Sequence, residues 1–153
     1  MNLNIREATE SDLPVLLALY AQLGEDDGRA LTVEQARAIF RRMAAYPDYR
    51  VYLAELDGEP VGTFALLVMD NLGHLGAPSA ILEDVVVDVD CRGLGIGQQM
   101  MDFATGLCRR KGCYKFFFSS NGNRTAAHRF YENLGFRRHG FSFYLDLATG
   151  EGV

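Results

Sequence analysis

Apolar residues in the first third of the chain recur three or four positions apart, the spacing of an amphipathic helix. The first such stretch covers residues 13–23 and follows Asp12, a favourable N-cap residue. A glycine-bounded acidic segment ends it. Thr32 and Gln35 then form a capping-box pattern at the start of a second helix, which extends to about Tyr46. The pattern predicts two consecutive helices.

After Tyr46 the spacing of apolar residues changes to the alternation of β-strands. Asp57-Gly58 is a strong hairpin signal between two of these strands. Residues 71–78 contain several turn-forming residue types, so we expect a loop there. The predicted strands are residues 2–6, 49–56, 61–69, 81–89, 115–119 and 141–147.

Two more helices are predicted in the second half of the chain, over residues 98–111 and 124–134. Gly112 and Gly135 are expected to end them. The resulting order indicates one mixed α/β domain, residues 1–153, around a mostly antiparallel central sheet. The strand, loop, helix and strand in the middle of the chain should form a parallel, right-handed unit.

The composition narrows the function classes. The 153 residues include 48% hydrophobic and 23% charged residues, and the formal net charge is −5. This charge argues against a nucleic-acid partner, because phosphate contacts need clustered Lys and Arg. No apolar run reaches the roughly 18 residues of a membrane span, and the polar N-terminus is no signal peptide. Three cysteines without paired spacing and three scattered histidines predict a reduced, cytoplasmic protein without a metal.

A glycine-rich segment, residues 92–97, lies between a predicted strand and a predicted helix. Glycines allow the backbone to approach an anion closely, and the N–H groups of a helix start can bind it. A Walker A loop would need Gly-Lys-Ser/Thr, and a Rossmann loop would need glycine at Gln98. Arg92, Gly95 and Gly97 instead match the acyltransferase pattern Gln/Arg-x-x-Gly-x-Gly/Ala, which favours the pyrophosphate of coenzyme A over a turn without a ligand.

Further motifs surround this loop: Leu82-Glu83-Asp84, Gly112-Cys113-Tyr114-Lys115, Ala127-His128-Arg129-Phe130-Tyr131 and Phe141-x-Phe143. With them the chain resembles the GNAT superfamily of N-acetyltransferases over nearly its whole length, most firmly over residues 81–136. Spermidine/spermine, glucosamine-6-phosphate and aminoalkylphosphonate N-acetyltransferases are the types that it resembles most. The resemblance implies acetyl-CoA as the co-substrate and a splayed pair of central strands that binds it.

The resemblance also implies catalytic residues. Tyr131 would protonate the departing thiolate of coenzyme A, although a tyrosine in a helix can also serve only for packing. Glu83 or Asp84 would bind the amine and take its proton, and the residues alone do not decide between them. A bulged strand would be needed for both to face the cleft.

The contacts to coenzyme A are inferred from the same resemblance. The backbone of Val85, Val86 and Val87 would bind the pantetheine arm in the manner of an added strand. At the position where the superfamily often has asparagine this chain has Arg124, so either Asn123 or Arg124 would contact the cofactor. The remaining predicted contacts form the glycine loop: Arg92, Gly93, Leu94, Gly95, Ile96, Gly97 and Gln98.

The expected reaction is direct transfer of acetyl from acetyl-CoA to a small primary amine in a ternary complex. A protein or peptide acceptor and a non-catalytic acetyl-CoA-binding module are the alternatives. A homodimer is expected as well, because relatives pair through C-terminal strands and this chain has Phe141, Phe143 and Tyr144 near its end. His74 is a candidate for contact with the substrate, and Cys91 is expected to serve for packing.

Overall fold

The computed structural model describes residues 1–148, which form two compact units, 1–118 and the residues from Ser119 onward. The first unit contains a five-stranded sheet and three α-helices, and the second contains one α-helix within residues 119–148. The elements in chain order are β1 Leu3–Glu7, α1 Leu13–Tyr20, α2 Val33–Ala44, β2 Tyr49–Leu56, β3 Glu59–Met69, β4 Ser79–Val87, α3 Ile96–Arg110, β5 Lys115–Phe117 and α4 Thr125–Asn133.

The strands lie in the order β1-β2-β3-β4-β5. The first three pairings are antiparallel, and β4 pairs with β5 in parallel. This confirms the predicted mixed sheet with one parallel unit around α3. A left-handed turn at Asp57 and Gly58 (φ 51° and 89°) joins β2 to β3, as the hairpin signal predicted.

Helices cover both faces of the sheet. On one face, Leu13, Leu16 and Leu19 of α1 pack with Val51, Leu53 and Ala65 of β2 and β3 in a buried cluster. On the other face, Phe103 of α3 lies against the rings of Tyr52 and Phe64, at centroid distances of 5.7 and 6.5 Å. A Cβ atom at Gly62 would lie 2.8 Å from the Met100 sulfur, so glycine allows α3 to approach β3 closely.

The predicted helix boundaries follow local backbone chemistry. The capping box at Thr32 is confirmed: Gln35 donates its N–H to the Thr32 hydroxyl at 3.2 Å, and Thr32 donates its N–H to the Gln35 side chain at 3.0 Å. Gly112 and Gly135 end α3 and α4 with positive φ angles of 74° and 94°, as expected. Helix α3 begins two residues earlier than predicted, at Ile96, because Gly95 caps it in the left-handed conformation.

The predicted last strand, residues 141–147, is wrong. These residues have no regular secondary structure, and Phe141, Phe143 and Tyr144 are 93%, 94% and 85% exposed. An alternating pattern becomes a strand only where a neighbouring strand supplies hydrogen bonds, and the described residues pair none with this segment. The strand predicted over 81–89 is shifted to Ser79–Val87, where it pairs with β3.

Candidate functional site

A β-bulge interrupts β4 at Asp84. Thr63 of β3 lies opposite Val86, whereas Ala65, two residues further on, lies opposite Glu83, so β4 contains one extra residue. Asp84 has φ 52°, a left-handed conformation that aspartate tolerates better than most residues. The extra residue breaks the alternation of side chains along the strand, and consequently Glu83 and Asp84 are both exposed.

The bulge brings the two carboxylates into an acidic group. Although water reaches both side chains, the surrounding protein partly desolvates their carboxylates. This desolvation, followed by the charges of Asp84 and Glu25, raises the pKa of Glu83 above its ordinary value. Desolvation, followed by the charge of Asp26, raises the pKa of Asp84. We call Glu25, Asp26, Glu83 and Asp84 the acidic group. Two of its residues come from the loop after α1 and two from strand β4. The negative charge of the group suits a cationic amine.

Tyrosine side chains stand beside the acidic group. Tyr20 of α1 and Tyr49 of β2 have raised pKa values, chiefly because of burial and next because of the negative charge of Asp84. The Tyr20 hydroxyl hydrogen-bonds with the side chain of Thr63. Thr63 is fully buried and donates its own hydrogen to the backbone oxygen of Tyr52 at 2.8 Å. This chain of hydroxyl groups anchors Tyr20 to the strand opposite the bulge.

One residue ties the loop after α1 to the end of β4. Gln22 accepts the N–H of Val89 at 2.9 Å through its side-chain oxygen. Its side-chain nitrogen donates to the carboxylate of Asp88 at 3.3 Å. These two contacts hold the start of the acidic loop against the segment that leads into the glycine-rich loop.

After Ile81, before the bulge, β4 separates from β5. The parallel pairing covers only Ser79–Ile81, while β4 continues to Val87 and, among the described residues, pairs there with β3 alone. Asp88 donates its N–H to Val61 of β3 at 2.8 Å. Backbone N–H groups alternate between the two edges of a strand. The N–H of Val86 therefore also points to β3, whereas the N–H groups of Val85 and Val87 point to the other edge. The guanidinium of Arg92 donates to the backbone oxygen of Val87 at 3.4 Å.

The glycine-rich loop connects this strand to α3. Gly93 and Gly95 have φ angles of 81° and 77°, and a Cβ atom at either position would meet no atom within 4 Å. Gly95 is the N-cap of α3 and contributes no side-chain cap, while the Ile96 side chain is buried and anchors the helix start. The first N–H groups of a helix have no partner within it, so the start of α3 offers donors to an anion.

The remaining predicted residues lie in the second unit. Tyr131 is on α4, with its ring centroid 5.5 Å from that of Phe130 and 6.4 Å from that of Phe136. Asn123 donates its N–H to the Asn121 side chain at 3.0 Å, and Arg124 is the residue before α4.

The structure thus brings Glu83, Asp84 and the acidic loop together in the first unit, next to the strand that leads to the glycine loop. Sequence reasoning missed Tyr20, Gln22, Glu25 and Asp26, because it treated the loop after α1 only as a helix terminator. Three acidic residues in a row in that loop, Glu25, Asp26 and Asp27, were the only available signal. His74 stacks on Tyr114 at 4.0 Å, at the start of β4 and far along the strand from Asp84.

Comparison with known proteins defines the family. The model of the acetyltransferase (GNAT) family matches residues 16–136, which include the bulge, the glycine loop and α4. The chain belongs to the GNAT family of acetyltransferases. It is therefore an enzyme of the acyltransferase class, and members of this family use acetyl-CoA. This GNAT domain has, among residues 1–148, no helix long and apolar enough to cross a membrane and no group of three side chains suited to a metal.

Curated relatives cover almost the whole GNAT domain. A glucosamine 6-phosphate N-acetyltransferase from Trypanosoma brucei brucei is 33% identical over 147 residues, 96% of this chain and 97% of the relative. An aminoalkylphosphonate N-acetyltransferase from Salmonella typhimurium is 31% identical over 139 residues, 91% and 88% of the two chains. These are two of the types that the motifs indicated.

Solved structures agree with the fold. An acetyltransferase from Agrobacterium tumefaciens, described as putative, superimposes with a TM-score of 0.87 at 34% identity and covers 94% of this chain and 99% of its own. An acetyltransferase from Trypanosoma brucei gives a TM-score of 0.77 at 30% identity, with 95% and 100% covered. These superpositions show that the chain shares its fold with both structures.

Proposed function

We propose that this enzyme transfers acetyl from acetyl-CoA directly to a small primary amine that also carries a phosphate or phosphonate group. The observation that supports it most is the bulge at Asp84. The two carboxylates lie on the strand that leads to the glycine loop, so an amine and a thioester would have adjacent sites on one strand. That adjacency supports our proposal of a ternary complex with direct attack of the amine.

The co-substrate site consists mainly of backbone. The N–H groups at the start of α3, at Ile96, Gly97 and Gln98, would hold the pyrophosphate, with Gly93, Leu94 and Gly95 providing room for its approach. The thioester of acetyl-CoA supplies an activated acetyl group when it is bound.

The strand edge would hold the pantetheine arm. The backbone N–H groups of Val85 and Val87 point away from β3 and would bind the amides of the arm and the thioester oxygen. The N–H of Val86 points to β3, so we assign Val86 to the pairing of the two strands and not to the cofactor. Arg92 would keep the end of this edge in place through Val87, and its charge would favour the phosphates.

The acidic group would bind and deprotonate the amine. A carboxylate with a raised pKa is a better base at neutral pH than an ordinary one. Glu83 is our candidate for the base, and Asp84 is our candidate for the ammonium anchor. Tyr131 would donate a proton to the departing thiolate of coenzyme A. A free cysteine thiol, which is chemically similar, has a pKa of about 8.5.

The phosphorus oxyanion is inferred from the relatives. One relative is named for glucosamine 6-phosphate and the other for aminoalkylphosphonates, and both acceptors combine an amine with such a group. A peptide acceptor and a non-catalytic role are the competing functions.

We further propose a cytoplasmic location. We also propose a homodimer, and the exposed side chains of Phe141, Phe143 and Tyr144 support the dimer.

Matched pairs of amines test the acceptor class. Release of free thiol from acetyl-CoA should be measured with glucosamine 6-phosphate against glucosamine, and with an aminoalkylphosphonate against the corresponding alkylamine. We expect kcat/KM to be at least about 10-fold higher for the member of each pair that carries the phosphate or phosphonate group, equivalent to 1.4 kcal/mol. Equal rates within each pair, or turnover only with peptides, would refute the proposed acceptor.

The Tyr131→Phe variant separates an enzyme from a binding module. It keeps the ring but removes the hydroxyl group, so kcat should fall by about 10²-fold, the scale of general acid catalysis. Binding of acetyl-CoA, followed by its effect on Tm, should be unchanged. Full turnover in this variant would assign Tyr131 to packing alone.

A further inference from the structure

Two cysteines meet at the far end of α3, outside the proposed active site. Cys108 lies in the last turn of the helix and is 3% exposed, while Cys113 lies just after the helix and is partly buried. About 18 Å of helix separate Cys108 from Ile96, at a rise of about 1.5 Å per residue. The proposed chemistry uses neither thiol.

The geometry of the helix end holds these cysteines together. Cys113 donates its N–H to the backbone oxygen of Cys108 at 3.0 Å, and Gly112 donates to Arg109 at 3.1 Å. With Gly112 in the left-handed conformation, this is the Schellman motif, in which the side chains at these two positions come into contact. An ion pair of 2.6 Å between Lys111 and Asp48 fixes the same turn to the start of β2.

The two thiols affect each other electrostatically: each contributes to the shifted pKa of the other, as expected of neighbouring sulfur atoms. A disulfide needs Cα atoms within roughly 4.4–6.8 Å, and a backbone hydrogen bond between the same two residues keeps them near that range. Cys91 lies elsewhere, in the turn before the glycine loop, and does not belong to this pair.

We propose that Cys108 and Cys113 are a redox modification site that closes to a reversible disulfide when the protein meets hydrogen peroxide. The more exposed Cys113 sulfur attacks the peroxide and becomes a sulfenic acid, with release of one water. The Cys108 sulfur then attacks the Cys113 sulfur and displaces a second water. Two thiols and one hydrogen peroxide thus give one disulfide and two waters, and a dithiol reductant reverses the change.

The reaction should be slow for a thiol pair. Burial raises the pKa of Cys108 to about 12, and it raises the pKa of Cys113 as well, so little thiolate is present at neutral pH. The pair should therefore respond to sustained oxidation.

Peptide mapping of the whole protein tests the proposal directly. Trypsin cleaves after Arg92, Arg109, Lys111 and Lys115, so Cys108 and Cys113 leave in separate peptides, residues 93–109 and 112–115. After treatment with hydrogen peroxide and blocking of free thiols, we expect these two peptides to be joined. Dithiothreitol should separate them, and Cys91 should remain open to alkylation.

Variants keep the test decisive. In Cys108→Ala, Cys113 should accumulate as a sulfenic acid that dimedone traps, and in Cys113→Ser no intramolecular link should form. Cys91→Ser is the matched control and should form the link as the unmodified protein does. A disulfide that contains Cys91, or oxidation of Cys113 to sulfinic acid in the unmodified protein without any link to Cys108, would overturn the proposal.

Discussion

Replacing Asp84 by asparagine removes one negative charge from the acidic group and keeps a side chain that tolerates the left-handed backbone at φ 52°. In the folded protein, burial and the charge of Asp26 disfavour the ionised form of Asp84, and Asp84 in turn disfavours the ionised form of Glu83. The native carboxylate therefore lowers stability at neutral pH. Charge interactions at exposed positions are worth about 0.2–1 kcal/mol each.

With like charges on both sides, Asp84→Asn should raise the free energy of unfolding at pH 7 by about 1 kcal/mol, which corresponds to a Tm increase of about 2–4 °C for a domain of this size. The folded pKa of Asp84 lies above its unfolded value, so the native penalty exists only where Asp84 is ionised. The Tm difference should be full above the raised pKa. It should disappear as the pH falls below the ordinary value of 3.8.

Thermal melting between pH 3 and pH 8, together with steady-state kinetics, measures both consequences. Asp57→Asn is the matched control, because Asp57 has a similar φ of 51° but lies in the β2–β3 turn. Its Tm should not rise. If Asp84 anchors the ammonium, Asp84→Asn should also increase KM for the amine more than it lowers kcat. A lower Tm at pH 7, or a Tm gain that persists at pH 3, would refute this electrostatic account.

Three further changes test other parts of the structure. Glu83→Gln should lower the acetylation rate most at pH values where the amine is mostly protonated but Glu83 is still ionised, because a base matters most there; an unchanged pH–rate profile would contradict that role. Gly95→Val should abolish the rise in Tm caused by acetyl-CoA, because a φ of 77° is strained for a β-branched residue and the valine side chain would cover the helix start. Circular dichroism should show that the variant keeps its fold. Asp12→Asn should cost about 1–2 kcal/mol at pH 7, judged by urea unfolding, because hydrogen bonds from Arg6 lower the Asp12 pKa from 3.8 to about 2. The folded pKa is depressed, so this contribution exists above pH 3.8, declines as the pH falls towards 2, and should leave the two proteins equally stable there.

Local chemistry explains why most elements could be predicted. The capping box of Thr32, the left-handed Gly112 and the Asp57-Gly58 turn are decided by groups a few residues apart, so their sequence signals are sufficient. The glycine loop belongs to the same class, because its φ angles and the adjoining helix start are local properties. Such signals, with the likeness of the motifs to a known family, indicated the GNAT fold and acetyl-CoA.

Contacts between distant parts of the chain could not be predicted in the same way. The alternation in residues 141–147 is typical of a strand, yet whether a strand forms depends on a partner that the segment itself does not specify. The point at which β4 leaves β5, after Ile81, is likewise set by pairing between two strands.

The sequence by itself determined the order of helices and strands as far as α4, the glycine-rich loop before α3 and the presence of two adjacent carboxylates, since each follows from neighbouring residues. Only the tertiary structure decided that Glu83 and Asp84 are both exposed, because the bulge depends on the register between β3 and β4. It also brought Glu25 and Asp26 to them across more than fifty residues of chain. The resulting pKa shifts arise from burial and from charge–charge distances in space, and spacing along the chain does not encode either quantity.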